Sequence, residues 1–166
     1  IEVAADNSTV QNIGIYNKSQ PIQNGIASLQ TVRNLAIRGN VIGVAPDLVS
    51  ANLPMNLGIR IENQTDGSFD IENNYVEAAL HTGIWILNSK NTLPAKYNIK
   101  NNEVANAGTV ANASGGYGLR ILTSSNVLVE GNLVKSARLV GIELSNNAGG
   151  IQIRQNTIER GGSWGL

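Results

Sequence analysis

The 166-residue sequence contains no cysteine, which excludes disulfides, thiolate metal sites and a cysteine nucleophile. Aromatic residues make up only 4% of it and charged residues 14%, and its 12 basic residues are balanced by 12 acidic ones. Without a positive field, binding to nucleic acid or to anionic lipid is not expected. No apolar run is long enough to cross a bilayer, so no membrane insertion is expected either. Lack of cysteine is compatible with a bacterial secreted or surface protein.

What the sequence has instead is a short phrase that occurs five times. Each copy holds two apolar residues two positions apart, then Asn, then another apolar residue, as in Leu35, Ile37, Asn40 and Ile42. Apolar residues two apart lie on one face of a β-strand. Their return at a regular spacing predicts short strands stacked coil upon coil.

The Asn of each copy is expected at the corner between two strands, because Asn adopts the left-handed backbone conformation at little cost. Equivalent residues of adjacent coils would lie about 4.8 Å apart, which lets side-chain amides bond to one another along the stack. The alternative is that these are ordinary turn residues. The predicted ladder consists of Asn40, Asn74, Asn102, Asn132 and Asn156.

A second phrase, which starts with Gly, alternates with the first. Its copies begin at Gly58, Gly83, Gly118 and Gly141, with a degenerate early copy at Gly25 and an interrupted one at Gly165. From Gly141 to Gly165 is 24 residues, about the minimum circuit for three short strands and three corners.

These phrases resemble those of the right-handed parallel β-helix proteins, which include pectate-lyase-like enzymes, surface adhesins and phage tailspikes. The resemblance covers residues 25–166 and implies an all-β, right-handed parallel β-helix of roughly six coils. We predict one domain over residues 1–166, with 25–166 as regular coils and 1–24 as an irregular first coil. Val10, Ile13 and Ile15 are expected strand residues of that first coil, although the sequence does not set their register.

The interrupted phrase at Gly165 favours a fragment of a longer protein, because natural solenoids cover their open ends. Further coils or capping domains of the same parent chain would then follow. The alternative is that a partner chain covers the ends.

One outward position of the first phrase carries charges of alternating sign. Stacked side chains of opposite charge support the register of the coils, whereas like charges directly opposed would be unfavourable. We therefore interpret this charge column as structural. It consists of Arg38, Glu72, Lys100, Glu130 and Arg154.

The connections before the Gly phrases differ in length and indicate where a ligand could bind. Ile42 to Gly58 is 16 residues and Val104 to Gly118 is 14, whereas Val76 to Gly83 is only 7. Since equivalent loops lie on one side of a solenoid, two long loops would flank a short one and form a trough.

The trough would contain the single His of the chain and the outward residues of the Gly phrases, which include Glu143. A Trp beside Arg side chains suits a sugar ring and an anionic sugar, by stacking and by bidentate contacts. The structural alternative is a solvated His and a Trp packed under a loop. The candidate ligand-binding residues are His81, Trp85, Glu77, Arg60, Arg120, Asp47 and Tyr117.

No catalytic residues, metal ligands or cofactors are predicted. Enzymes of this fold that cleave polysaccharides need clustered carboxylates or a cation with an Arg base. The four Asp residues show no paired arrangement in the sequence, and the motifs of galacturonases and pectate lyases are missing. The Asp residues are Asp6, Asp47, Asp66 and Asp70.

The leading hypothesis is a non-enzymatic, structural or adhesive segment of an extracellular or cell-surface bacterial protein, with a polysaccharide or cell-surface glycan as its partner. The alternative is a polysaccharide lyase, epimerase or hydrolase acting on acidic glycans. A trimeric, tailspike-like part is a third hypothesis, but it would need an apolar outward column, and the outward residues are mostly polar.

Overall fold

A computed structural model of the protein describes residues 1–17, 22–45, 55–65, 67–91, 97–109, 115–147, 149–160 and 162. Within these ranges the secondary structure is entirely β, which confirms the predicted class. The strands are β1 (Thr9–Gln11), β2 (Gly14–Ile15), β3 (Asn24–Ser28), β4 (Leu35–Arg38), β5 (Val41–Ile42), β6 (Leu57–Glu62), β7 (Phe69–Glu72), β8 (Tyr75–Glu77), β9 (Thr82–Leu87), β10 (Tyr97–Lys100), β11 (Glu103–Ala105), β12 (Tyr117–Leu122), β13 (Val127–Glu130), β14 (Leu133–Lys135), β15 (Val140–Ser145), β16 (Gln152–Arg154) and β17 (Thr157–Glu159).

Every third strand joins the same sheet, so each of the first five coils contributes one strand to each of three parallel sheets, and β16 and β17 extend the first two. The first sheet has the order β1-β4-β7-β10-β13-β16, the second β2-β5-β8-β11-β14-β17, and the third β3-β6-β9-β12-β15. The first phrase supplies the first two sheets and the Gly phrase supplies the third. Among the described residues, the structure holds no helical segment that could span a bilayer.

The core lies between the three sheets, and its residues stack on their counterparts in the next coil. Ile37 pairs with Ile71, and Ile71 with Ile99, and all three side chains are fully buried. Phe69 and Tyr97 stack with their ring centroids 4.4 Å apart and their planes 6° from parallel. The period-two pattern of the sequence therefore identified the buried face correctly.

The predicted Asn ladder is confirmed, and it occupies the corner between the first and second sheets. The side-chain Nδ2 of Asn74 donates to Oδ1 of Asn102 at 2.9 Å, and Nδ2 of Asn102 donates to Oδ1 of Asn132 at 3.0 Å. The same contact joins Asn40 to Asn74 and Asn132 to Asn156. From Asn74 onward, each Oδ1 in this ladder also accepts the backbone N–H of the preceding ladder residue, as that of Asn102 does from Asn74.

The expected backbone conformation of these Asn residues is wrong by one position. The left-handed residue of each corner is the one before the ladder Asn, for example Asn73 with φ 56° and Asn101 with φ 51°. The ladder residues themselves do not have positive φ. The left-handed positions are Gly39, Asn73, Asn101, Gly131 and Gln155.

The first coil is more regular than expected. Val10 pairs with Ile37 and Ile15 with Ile42, so β1 and β2 continue their sheets in register. Ile13, which was expected in a strand, lies between them at the ladder position, and its backbone N–H donates to Oδ1 of Asn40 at 3.2 Å. The ladder thus begins at Asn40.

A second buried polar column, which the sequence analysis missed, lies at the corner between the third and first sheets. Ser28, Ser89 and Ser124 are fully buried there, and Gln64 is nearly so. Ser124 Oγ accepts from the backbone N–H of Ser89 at 3.2 Å, and Gln64 Oε1 accepts from that of Val32 at 2.8 Å. Side chains thus satisfy backbone donors where the sheets end.

Three of the four neighbouring pairs in the predicted charge column of the first sheet are in contact. Glu130 bonds Arg154 at 2.8 Å and lies 3.5 Å from Lys100, and Arg38 lies 3.5 Å from Glu72. The bond from Arg154 lowers the pKa of Glu130.

The ladder predicts a large difference between two neighbouring substitutions. Asn102→Ala removes the donor to Asn132 and to the carbonyl of Ile71, and it leaves two buried N–H groups of Asn74 without an acceptor. We expect the free energy of unfolding to fall by about 1–3 kcal/mol. Lys100→Ala, which removes only a partly exposed ion pair, should cost a few tenths of a kcal/mol. Urea unfolding of both variants measures this, and equal losses would contradict the assignment of inside and outside.

Candidate functional site

The outward residues of the Gly phrases form a continuous row across the third sheet. Arg60 of β6 pairs in register with Trp85 of β9, Trp85 with Arg120 of β12, and Arg120 with Glu143 of β15. This confirms the predicted stack. The residues alternate with buried Ile and Leu side chains on the same strands, so strand periodicity alone directs the row outward.

Trp85 is the centre of a group of contacts that spans three coils. The guanidinium carbons of Arg60 and Arg120 lie 5.7 and 5.6 Å from its ring centroid, within reach of cation–π attraction. The imidazole of His81 stacks on it at 5.5 Å and 17°, and lies 5.6 Å from the ring of Tyr117. We call His81, Trp85, Tyr117, Arg60 and Arg120 the aromatic–arginine cluster.

The ring of Trp85 is only partly exposed, contrary to the expectation of an exposed Trp. Its indole Nε1 is buried and has no hydrogen-bond partner among the described residues. Since Nε1 is the one polar atom of the side chain, the surface that Trp85 presents to solvent is carbon.

Both arginines of the aromatic–arginine cluster are bound to carboxylates of the protein itself. Nε and Nη2 of Arg60 each lie 2.7 Å from Oε1 of Glu62, and Nε of Arg120 bonds Oε2 of Glu143. Arg120 also lies over the ring of Tyr117, 4.3 Å from its centroid. The Glu62 partner, at the end of β6, was not anticipated from the sequence.

His81 is held at the junction between the described ends of the two long loops. Its backbone N–H donates to the carbonyl of Asn56 at 2.9 Å, and its carbonyl accepts from Gly116 and Tyr117 at 2.8 and 3.0 Å. The short connection therefore lies between the two long ones in the stack, as predicted. Half of the predicted trough walls, at residues 46–54 and 110–114, lies outside the described residues.

Gly115, in the coil after that of His81, makes the close approach of the two coils possible, and the sequence analysis missed it. A Cβ at Gly115 would lie 2.7 Å from the carbonyl oxygen and 2.8 Å from Cγ of His81. No side chain fits there without displacing the imidazole ring. The pair Gly115-Gly116 before Tyr117 in a long loop was the only sequence signal.

The remaining predicted site residues are placed elsewhere or not described. Glu77 ends β8 of the second sheet, where it accepts from the hydroxyl of Tyr75 and from Nδ2 of Asn106. Burial raises the pKa of Tyr75, and its hydrogen bond to Glu77 raises that pKa further. Asp47 lies outside the described residues. The structure thus groups five of the seven predicted residues.

The aspartates with described positions serve structural contacts. Asp6 accepts the backbone N–H of Arg33 at 2.7 Å, and Asp70 binds Arg38 at 2.6 Å and Asn98 at 2.8 Å. Within the described ranges, no three His, Asp or Glu side chains come together in a way that could hold a metal ion.

Burial lowers the pKa of His81, and the nearby positive charge of Arg120 lowers it further, while Glu143 opposes the shift. The ring is therefore neutral near pH 7. Its Nδ1 is within 2.7 Å of the Thr82 hydroxyl, which leaves Nε2 without a bond to any described residue.

A family model described as a right-handed β-helix region matches residues 95–166. Neither a curated protein nor a solved structure matches the chain. With the three parallel sheets, the family match confirms the resemblance inferred from the phrases, and the chain has the fold of a right-handed parallel β-helix protein.

The environment of His81 predicts a measurable titration shift. Since this is the only His of the chain, its imidazole signals in proton NMR are unambiguous, and their midpoint should lie below the ordinary value of about 6.5. Arg120→Gln should raise the midpoint because it removes a positive neighbour and leaves Glu143. Arg154→Gln, on the first sheet, is the matched control and should leave it unchanged. Equal shifts in the two variants would contradict the assigned contacts.

The lowered pKa of His81 also determines how the stability of the fold changes with pH. A lowered pKa means that the unfolded chain binds more protons than the folded one below about pH 6.5. The contribution of His81 to stability is therefore complete above that pH and is lost as the pH falls through the folded pKa. His81→Gln should reduce the acid sensitivity of the unfolding midpoint in this range.

Proposed function

We propose that this chain is a non-enzymatic, structural and adhesive β-helix segment of an extracellular or cell-surface bacterial protein. Its aromatic–arginine cluster would be the surface that contacts a polysaccharide or cell-surface glycan. The observation that carries the proposal is the group of partly exposed rings around Trp85, placed where three coils meet on an otherwise regular stack. Sugar rings bind proteins through such amphipathic aromatic side chains.

Contacts elsewhere on the stack support a structural part of this role. On the first sheet Glu130 joins Arg154 to Lys100, and on the second sheet Lys135 bonds Glu103 at 2.9 Å. These outward side chains are engaged with neighbours on adjacent coils, which is expected of a rigid spacer.

A polysaccharide lyase, epimerase or hydrolase acting on acidic glycans is the second candidate. One observation favours it: His81 is held neutral beside Arg120 and Glu143, and a neutral imidazole is suited to general-base catalysis near pH 7.

Retention and product release, measured on the same samples, separate the two candidates. The chain is incubated with insoluble and soluble polysaccharides, both neutral and acidic, with and without calcium. Bound protein, reducing ends and unsaturated uronates are then determined. We expect retention of the chain without new ends or uronates, and weaker retention of Trp85→Ala. Tyr16→Ala, which removes an exposed aromatic ring in the first coil, is the control and should bind like the parent.

Product release that disappears in His81→Gln would overturn the non-enzymatic proposal in favour of the second candidate. Absence of retention on every polysaccharide would overturn the adhesive part.

A further inference from the structure

We propose that the aromatic–arginine cluster binds an uncharged sugar ring and not a uronate, with the ligand stacked on the carbon surface of Trp85. This inference rests on the proposed glycan-binding function and narrows its ligand. It also departs from the sequence-based expectation, in which the two arginines suggested an anionic sugar.

Charge pairing within the cluster is the first argument. Arg60 is bonded to Glu62, whose side chain is only 11% exposed, and Arg120 is bonded to Glu143. Each guanidinium keeps N–H donors that its partner does not use, but a carboxylate ligand on those donors would lie beside the negative charge of Glu62 or Glu143 and would be repelled unless the pair were separated. Separation would leave a carboxylate with little solvent and no counter-charge, which is strongly unfavourable. The two ion pairs therefore oppose an anionic ligand.

The kind of surface that remains is the second argument. The polar atom of Trp85 is buried, so the exposed part of its ring offers dispersion contacts and no hydrogen bond. The C–H face of a pyranose matches this surface, as does any flat apolar group. Hydroxyl groups at the edge of the ring would meet the carboxylate of Glu143 and Nε2 of the His81 imidazole, and the neutral imidazole can donate or accept a hydrogen bond.

An aromatic platform also suits a nucleobase, but the charges argue against nucleic acid. Single-stranded nucleic acids are bound by stacking together with free cationic groups that follow the phosphates. The cationic groups beside Trp85 are those of Arg60 and Arg120, and both are already paired. The formal net charge of the whole chain is zero.

The position of His81 links the binding surface to the loops. The ring stacks on Trp85, and its backbone holds Asn56 on one side and Tyr117 on the other. A ligand on Trp85 would therefore touch the ring whose placement depends on Gly115. Gly115→Ala should weaken binding without changing any residue that contacts the sugar.

Fluorescence of Trp85 provides the test. The chain has two Trp residues, so the variant Trp164→Phe leaves Trp85 as the only tryptophan, which is excited selectively over the four Tyr residues. It is titrated with hexasaccharides of glucose, mannose and galactose, with hexamers of galacturonate and mannuronate of equal length, and with a single-stranded oligothymidine. Each titration is repeated at about 20 mM and about 300 mM salt, which span strong and weak screening.

We expect at least one neutral hexasaccharide to bind, with an affinity that does not change with salt, and the acidic hexamers to bind more weakly. In calorimetry, Trp85→Ala should weaken the neutral ligand about tenfold, as expected for a lost stacking contact. Tyr117→Leu serves as the second variant should Trp85→Ala fail to fold, and Tyr16→Ala is the control that should bind normally.

Three results would overturn the inference: tighter and salt-sensitive binding of the acidic hexamers, binding of oligothymidine at the same site, or no binding of any neutral hexasaccharide. None of these bears on catalysis, which is judged by product release. An acidic ligand that is bound but not cleaved would leave the adhesive proposal standing with a different ligand.

Discussion

The rest of the structure depends on the buried amide of the ladder Asn. An amide in the interior must find partners, and at Asn102 it finds them in the coil below and the coil above. These hydrogen bonds between amides form only when neighbouring coils carry Asn at the same corner. A slip of one residue would turn Ile71 or Ile99 outward and leave the amides unsatisfied. The ladder thereby makes one strand register more stable than the shifted registers.

Because the register is fixed, the outside of the stack is ordered as well. Each outward residue has a defined neighbour one coil away, and the sequence uses this in two ways. On the first sheet it places Glu130 between Lys100 and Arg154, which supports the stack. On the third sheet it places Trp85 between two arginines that are already neutralised, which leaves an apolar surface with little net charge.

Sequence analysis predicted the strands, the ladder and the outward row because each of them repeats at a spacing that is typical of stacked β-strands. It misplaced the left-handed residue since Asn73 and Asn74 have the same local propensity; only Gly39 and Gly131, in equivalent positions, pointed to the earlier residue. It could not set the first coil, where Ile13 replaces Asn. It missed the pairing of Arg60 with Glu62 because that contact depends on where the strand β6 ends, and strand ends carry no periodic signal.

The location of the cluster follows from how the three corners differ. Two corners carry buried polar columns, represented by Asn102 and Ser124, whose hydrogen bonds join neighbouring coils. The corner between the second and third sheets holds the long connections that begin after Ile42 and Val104. Lengthening a loop costs little, about 0.6 kcal/mol for each doubling. Variation can therefore accumulate at this corner without loss of the stack, and His81 lies there, beside the row in which Trp85 meets the two paired arginines.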